Sequence, residues 1–114
     1  MMSSIIRVKR DGRSDLLIEG EQLANVTDLE FLNSVPSGEW WELSLIRSKT
    51  GQYVLSSVQH IGSGGGTVRH AAFLFPSMQS ARQLLSYNTG RQARLAKTLL
   101  ERAGLHSRRE KMTG

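Results

Sequence analysis

The groups in this chain that could do acid–base, nucleophilic or metal chemistry are three histidines, scattered serines and ten carboxylates. Their spacing works against each use. His60 and His70 flank a glycine-rich stretch and would approach one another across antiparallel strands, while His106 lies near the end of the chain. A zinc or catalytic centre needs three or more converging ligands backed by carboxylates or carbonyls. No Asp or Glu occurs between Glu42 and Glu101. The serines lack the G-x-S-x-G elbow and the S-x-x-K pairing that activate a hydroxyl. Glu39/Glu42 and Glu19/Glu21 are the paired carboxylates, and the second pair shares a strand face if strand geometry continues through Gly20. There is no cysteine, which removes disulfides and thiolate chemistry together and fits a reducing compartment. The expectation is a protein that is not an enzyme, with no catalytic residue, metal or cofactor.

Two other constellations address anions. Gly62 to Gly66 could bring backbone N–H groups to a phosphate, but such loops lead into a helix and close on Lys-Ser/Thr. Here a strand follows, so the loop reads as a flexible connection. The formal charge of +5 is more telling when divided. Residues 1–60 hold six Lys/Arg and eight Asp/Glu, whereas residues 61–114 hold nine and two. A one-sided basic region attracts polyanions or acidic protein faces. Arg91, Arg94, Lys97 and Arg102, with Arg69 and Arg82, are the candidate phosphate contacts. Arg102 also suits the negative end of a helix dipole, while Arg91 and Arg94 sit at the wrong end for it. Trp40, Trp41 and Tyr53 are the candidate stacking or interface residues. Adjacent tryptophans on a strand point to opposite faces, so one enters the core and the other lies on the far face. A tryptophan beside Arg47, Lys49 or Arg69 would offer a base-stacking platform with phosphate partners. A covering helix or an oligomer interface would explain it equally.

The elements that must position these residues follow from periodicity. Ser4 to Arg10 reads as a strand, Asp11-Gly12 as a tight turn, and Asp15 to Glu19 as the return, interrupted at Gly20 and resuming through Leu23 to Val26. Thr27-Asp28-Leu29-Glu30 has capping-box spacing, with the Thr27 hydroxyl expected on the Glu30 N–H, before Pro36 and Gly38 end the turn. Glu39 to His60 is the clearest hairpin: Trp41, Leu43 and Leu45 alternate with Glu42, Ser44 and Ile46, and Gly51 supplies the turn. Thr67 to Phe75 reads as a strand whose Ala71-Ala72-Phe73-Leu74-Phe75 run predicts cover on both faces. Ser77 caps a helix with Met78, Ala81, Leu84 and Leu85 on one face, and Asn88-Thr89-Gly90 breaks it. In residues 91–103, Ala93, Ala96, Leu99, Leu100 and Ala103 fill one arc, and Gly104 ends the helix. The fold class is therefore α+β. We expect an antiparallel sheet of about four or five strands, two β-hairpins plus a further strand, with two C-terminal helices packed on one face. Residues 1–105 form a single domain and 106–114 a polar basic tail. No apolar run approaches the ~20 residues of a membrane span, and the N-terminus lacks an apolar leader, so a cytoplasmic protein is expected.

Residues 42–87 resemble small uncharacterised proteins of bacterial plasmids and phages, which carry a hairpin of the form Glu-Leu-x-x-x-Arg-x-x-x-Gly-x-Tyr-Val. Here these are Glu42-Leu43, Arg47, Gly51, Tyr53 and Val54. The resemblance implies no mechanism. The order of a sheet meander followed by a helix is similar in layout to the PC4-like and Whirly single-strand-binding modules, although the Whirly signature motif is not visible. Two readings stay open. One is a nucleic-acid-binding module that contacts phosphates without sequence preference. The other is a protein-interaction module, an inhibitor or adaptor of phage or plasmid type, docking on an acidic partner and forming a homodimer.

Overall fold

The computed structural model describes residues 4–31, 38–62, 66–86 and 90–104. Strand alternation dictates its architecture. β1 (Ser4–Val8), β2 (Leu16–Thr27), β3 (Trp40–Ser48), β4 (Tyr53–Ile61) and β5 (Thr67–Phe75) form one antiparallel sheet in chain order. Helices α1 (Met78–Ser86) and α2 (Gly90–Ala103) follow, and the fold is α+β. A 3₁₀ turn, Asp28–Phe31, leaves the end of β2. Among the described residues no helix is long and apolar enough to cross a membrane. The expected basic tail at 106–114, the Asn88-Thr89 break and the centre of the glycine loop at 63–65 lie outside the described residues.

The sheet has a different core on each face. Leu43 and Leu45 of β3, Tyr53 and Leu55 of β4, and Ala24 and Val26 of β2 share one buried cluster with Ala81 of α1 and Leu95, Ala96 and Leu99 of α2. Val8, Ile18, Ile46 and Val54 make a second cluster on the opposite face, with Ile6, Leu16 and Ala72 against it. Among the described residues no helix contributes to this second cluster. Residues from β1–β2 meet residues from β4–β5 there, so the sheet must curl until its two ends approach. A twisted five-stranded sheet can bury both faces in this way, because strand twist brings its edges toward each other. Backbone bonds tie the ends: the Asp11 N–H donates to the His70 carbonyl (3.0 Å), and the His70 N–H donates to Asp11 Oδ2 (2.9 Å).

That tie alters the first hairpin. Asp11-Gly12 forms the expected turn, with the Arg13 N–H donating to the Arg10 carbonyl (3.3 Å) and Gly12 at φ 73°, but the turn sits within a wider connection over residues 9–15 and Asp11 bonds outward to β5. Gly20 does not interrupt β2 either. The strand runs through it, and an irregularity between Gln22 and Ala24 shifts the register against β3. Such a bulge exchanges the outward and inward sets, so Glu19 and Glu21 before it share a face with Ala24 and Val26 after it.

The capping box forms with one change of partner. The Thr27 N–H donates to Glu30 Oε2 (3.1 Å), but the Thr27 hydroxyl accepts from Leu29 rather than from Glu30. Ser77 caps α1 by accepting from the Ser80 N–H. The cover expected on both faces of β5 is not found. Phe73 and Leu74 are 45% and 53% exposed, because β5 is an edge strand; of its apolar run Phe75 enters the helix-side core and Ala72 packs against the second cluster. On α2, Leu95 is fully buried and belongs with Ala96 and Leu99 at the centre of the buried face. The side chains of Leu84 and Leu85 lie outside the described residues.

Candidate functional site

The inner, concave face of the curled sheet is filled at one end by the second cluster, and among the described residues no buried cluster fills the other, open end. Register across β3, β4 and β5 aligns Trp40 with His60 and His60 with Val68, a single row at the open end. The next row is Glu42, Val58 and His70. Trp40 and His60 lie in a cross-strand pair on one face, where close side chains interact most strongly. Their rings are stacked, with centroids 3.7 Å apart and planes 4° from parallel. The Nε2 of His60 is 3.9 Å from Glu42 Oε1, an ion pair when the ring is protonated but too long for a hydrogen bond. Deeper in the same face, Asn25 donates to the Ser44 hydroxyl (2.9 Å) and to the Leu43 carbonyl (3.2 Å). The face thus offers an aromatic plane, a half-buried apolar surface and a polar shelf.

The expected site residues separate on this frame. Trp40 and Trp41 divide between the faces: Trp41 packs against the helix-side core, and its backbone N–H donates to the buried carboxylate of Asp28 (2.9 Å). Tyr53 belongs to that same core, only 9% exposed, and cannot serve as a stacking surface. Arg94 is exposed and sets its guanidinium 4.7 Å above the Phe31 ring, a cation–π contact. Lys97 is exposed one turn on, and Arg82 is half-buried on α1. Arg91 starts α2, but its side chain lies outside the described residues.

Arg102 is engaged. Its guanidinium grips Glu30 through two bonds (2.6 and 3.1 Å) and the Asn25 carbonyl through a third (2.8 Å). Hydrogen bonding to Glu30 raises the Arg102 pKa, and the same bond lowers that of Glu30, with the Thr27 N–H adding to the effect. This fork fastens α2 to the turn leaving β2. Arg102 is therefore engaged as a structural clamp.

Arg69 is exposed on the edge strand β5, beside His70 where the first hairpin docks. Sequence reasoning did not bring residues 9–13 to this place. Lys9 and Arg13 are exposed there, and Arg10 donates its Nε to the Ser14 carbonyl (3.0 Å).

Elsewhere the carboxylates of β1–β3 are matched. Arg7 pairs with Asp15 (3.7 Å), Arg47 with Glu21 (3.4 Å) and Lys49 with Glu19 (3.6 Å). Among the described residues, no ion pair engages Lys9, Arg10, Arg13, Arg69, Arg82, Arg94 or Lys97. These uncompensated cations fall into two groups. One lies on the helices, and one lies at the seam between the first hairpin and β5. Among the described residues no group of three or more His, Asp or Glu is placed to hold a metal ion. Comparison with protein-family models, curated proteins and solved structures finds no match.

Proposed function

We propose that this protein is a non-enzymatic nucleic-acid-binding module that engages its ligand without sequence preference on the concave face of the sheet. The carrying observation is the Trp40–His60 stack at the open end of that face. A base laid against a fixed aromatic plane gains stacking energy whatever its identity, because every base has a π-face. His60 holds the indole in one orientation, so the ring loses little freedom on binding. Arg69 shares a row with Gln59 and Trp41, on the helix side of the edge strand β5, and supplies a phosphate contact by reaching around that edge. Arg94 and Lys97 are carried by α2, on the other face of the sheet from Trp40, and extend the positive field without sharing this platform.

The test is a fluorescence titration of the full chain with a short single-stranded oligonucleotide at low ionic strength. Binding should weaken steeply as salt rises. Trp40→Ala should lower affinity by roughly 5- to 150-fold, the equivalent of about 1–3 kcal/mol for one stacked base. Failure of the wild-type chain to bind at low salt overturns the reading.

A second reading rests on β5. Phe73 and Leu74 are exposed on opposite faces of an edge strand, together with Val68, and exposed apolar edges favour pairing with another chain. A protein partner or a second copy of the chain would cover them. A discrete dimer in sedimentation, lost in Leu74→Lys, would favour this reading.

A further inference from the structure

The first hairpin carries a cationic tip that linear charge counting assigns to the acidic half of the molecule. Lys9, Arg10 and Arg13 lie within five residues around Asp11. The Asp11 bonds to His70 hold this segment against β5, next to Arg69. Four cations from distant parts of the chain thus meet at one seam. Asp11 keeps its negative charge while it accepts from the His70 N–H, so the four cations and this one carboxylate leave a local surplus of three positive charges (4 − 1). Asp15, the next acid, is paired with Arg7. Arg10 is held by its Nε bond to Ser14, which leaves its terminal guanidinium nitrogens directed away from that bond. The loop backbone is anchored at Asp11 and the Arg10 side chain at Ser14, which lowers the ordering cost of contacting phosphate at this tip.

Its position relative to the aromatic plane sets its ligand. The Asp11–His70 tie falls in the row adjacent to Trp40, His60 and Val68. Successive rows on one face lie about 7 Å apart, and β5 lies two strand spacings of about 5 Å from β3, so the tie is on the order of 12 Å from Trp40, a gap that a few nucleotides of an extended single strand would span. We infer that Lys9, Arg10 and Arg13, with Arg69, form a phosphate-binding rim for a single-stranded polynucleotide whose bases stack at Trp40. The inference rests on the nucleic-acid reading of the concave face. It adds the strand polarity of the site: bases enter at the open end, and the backbone leaves over the β1–β2 tip.

The experiment measures the salt dependence of binding for the full chain with a single strand of about 16 nucleotides, near the upper site size of a small sheet-based module. The variants are K9A/R13A, W40A and K49A. Each neutralised phosphate contributes about 0.7 to the slope of log K against log salt for single strands, so K9A/R13A should flatten the slope by about 1.4. K49A should leave the slope unchanged, because Lys49 is already paired with Glu19. All variants are checked for an unaltered thermal midpoint.

If wild type binds and W40A weakens it, but K9A/R13A retains the wild-type slope, the rim assignment is overturned while the nucleic-acid reading stands. Equal flattening in K49A also overturns the rim, since the effect would then follow net charge alone. Absence of wild-type binding removes both. A slope lowered only in K9A/R13A is the supporting result.

Discussion

Replacing Gly20 by Ala tests the idea that β2 and β3 approach too closely there for any side chain. Gly20 is buried and pairs with Ser48 on β3. An added Cβ would fall on the Arg47 carbonyl oxygen, 2.8 Å from the Ser48 Cα and 3.0 Å from the Arg47 carbonyl carbon. Non-bonded carbons settle at about 3.5–4.0 Å, so relief requires β2 and β3 to separate by close to 1 Å. Overpacking of this kind costs about 1–3 kcal/mol. The separation also weakens one or two ladder hydrogen bonds, at about 0.5–1.5 kcal/mol each. The lower entropy of the unfolded alanine chain returns about 0.4–1 kcal/mol. The net expectation is a loss of roughly 2–4 kcal/mol, or a fall in Tm of roughly 10–25 °C for a domain of this size.

Urea melts followed by far-UV circular dichroism measure it directly, with two glycines as controls. Gly38 has open space around its missing Cβ and no positive φ, so Gly38→Ala should be neutral or slightly stabilising. Gly51 also has open space but sits at φ 93°, so Gly51→Ala should lose about 1–2 kcal/mol through backbone strain alone. If Gly20→Ala proves as stable as Gly38→Ala, the steric argument is wrong.

Three further outcomes follow from the same contacts. Leu99, fully buried where α2 meets the sheet, should lose about 2–5 kcal/mol on replacement by Ala, read as a lower urea midpoint. Glu30 has its carboxyl held below the usual glutamate value of 4.5 by the Arg102 bond, so its stabilising effect is present above that value and fades as pH falls below it. Glu30→Gln should accordingly flatten the acid limb of the stability–pH curve, measured by thermal melts from neutral pH downward. Asp11→Ala removes the carboxylate that receives the His70 N–H, and amide exchange at His70 should accelerate at least several-fold while the amides of β3 keep their protection.

Much of the fold was legible because it is local. The hairpin from Trp40 to Ile61 could be read from alternation and from Gly51, and its register follows from the turn: positions 40 and 60 are equidistant from it, as are 47 and 53. The Trp40–His60 pairing was therefore within reach of the sequence, but the stacked geometry was not, since it depends on side-chain rotamers. The division of Trp40 and Trp41 between two faces was also readable. β5 misled for a physical reason. An apolar run predicts burial, but burial requires a neighbour on both sides, and β5 closes the sheet as its outer strand. Leu95 lies about 100° around the helix from Ala96, at the margin of the apolar arc, and its burial depends on how α2 seats on the sheet.

What the sequence by itself determined is the set of elements, the α+β class and the surplus of positive charge, because hydrophobic periodicity, turn chemistry and composition act over a few residues. Only the tertiary structure decided which cations are open. Arg102 closes on Glu30 across 72 residues, and Asp11 reaches His70 across 59. Charge interactions depend on distance through space, and the curl of the sheet resets those distances. It binds a helix arginine to an acid of the other half and carries three cations of the acidic half to the edge of a basic strand.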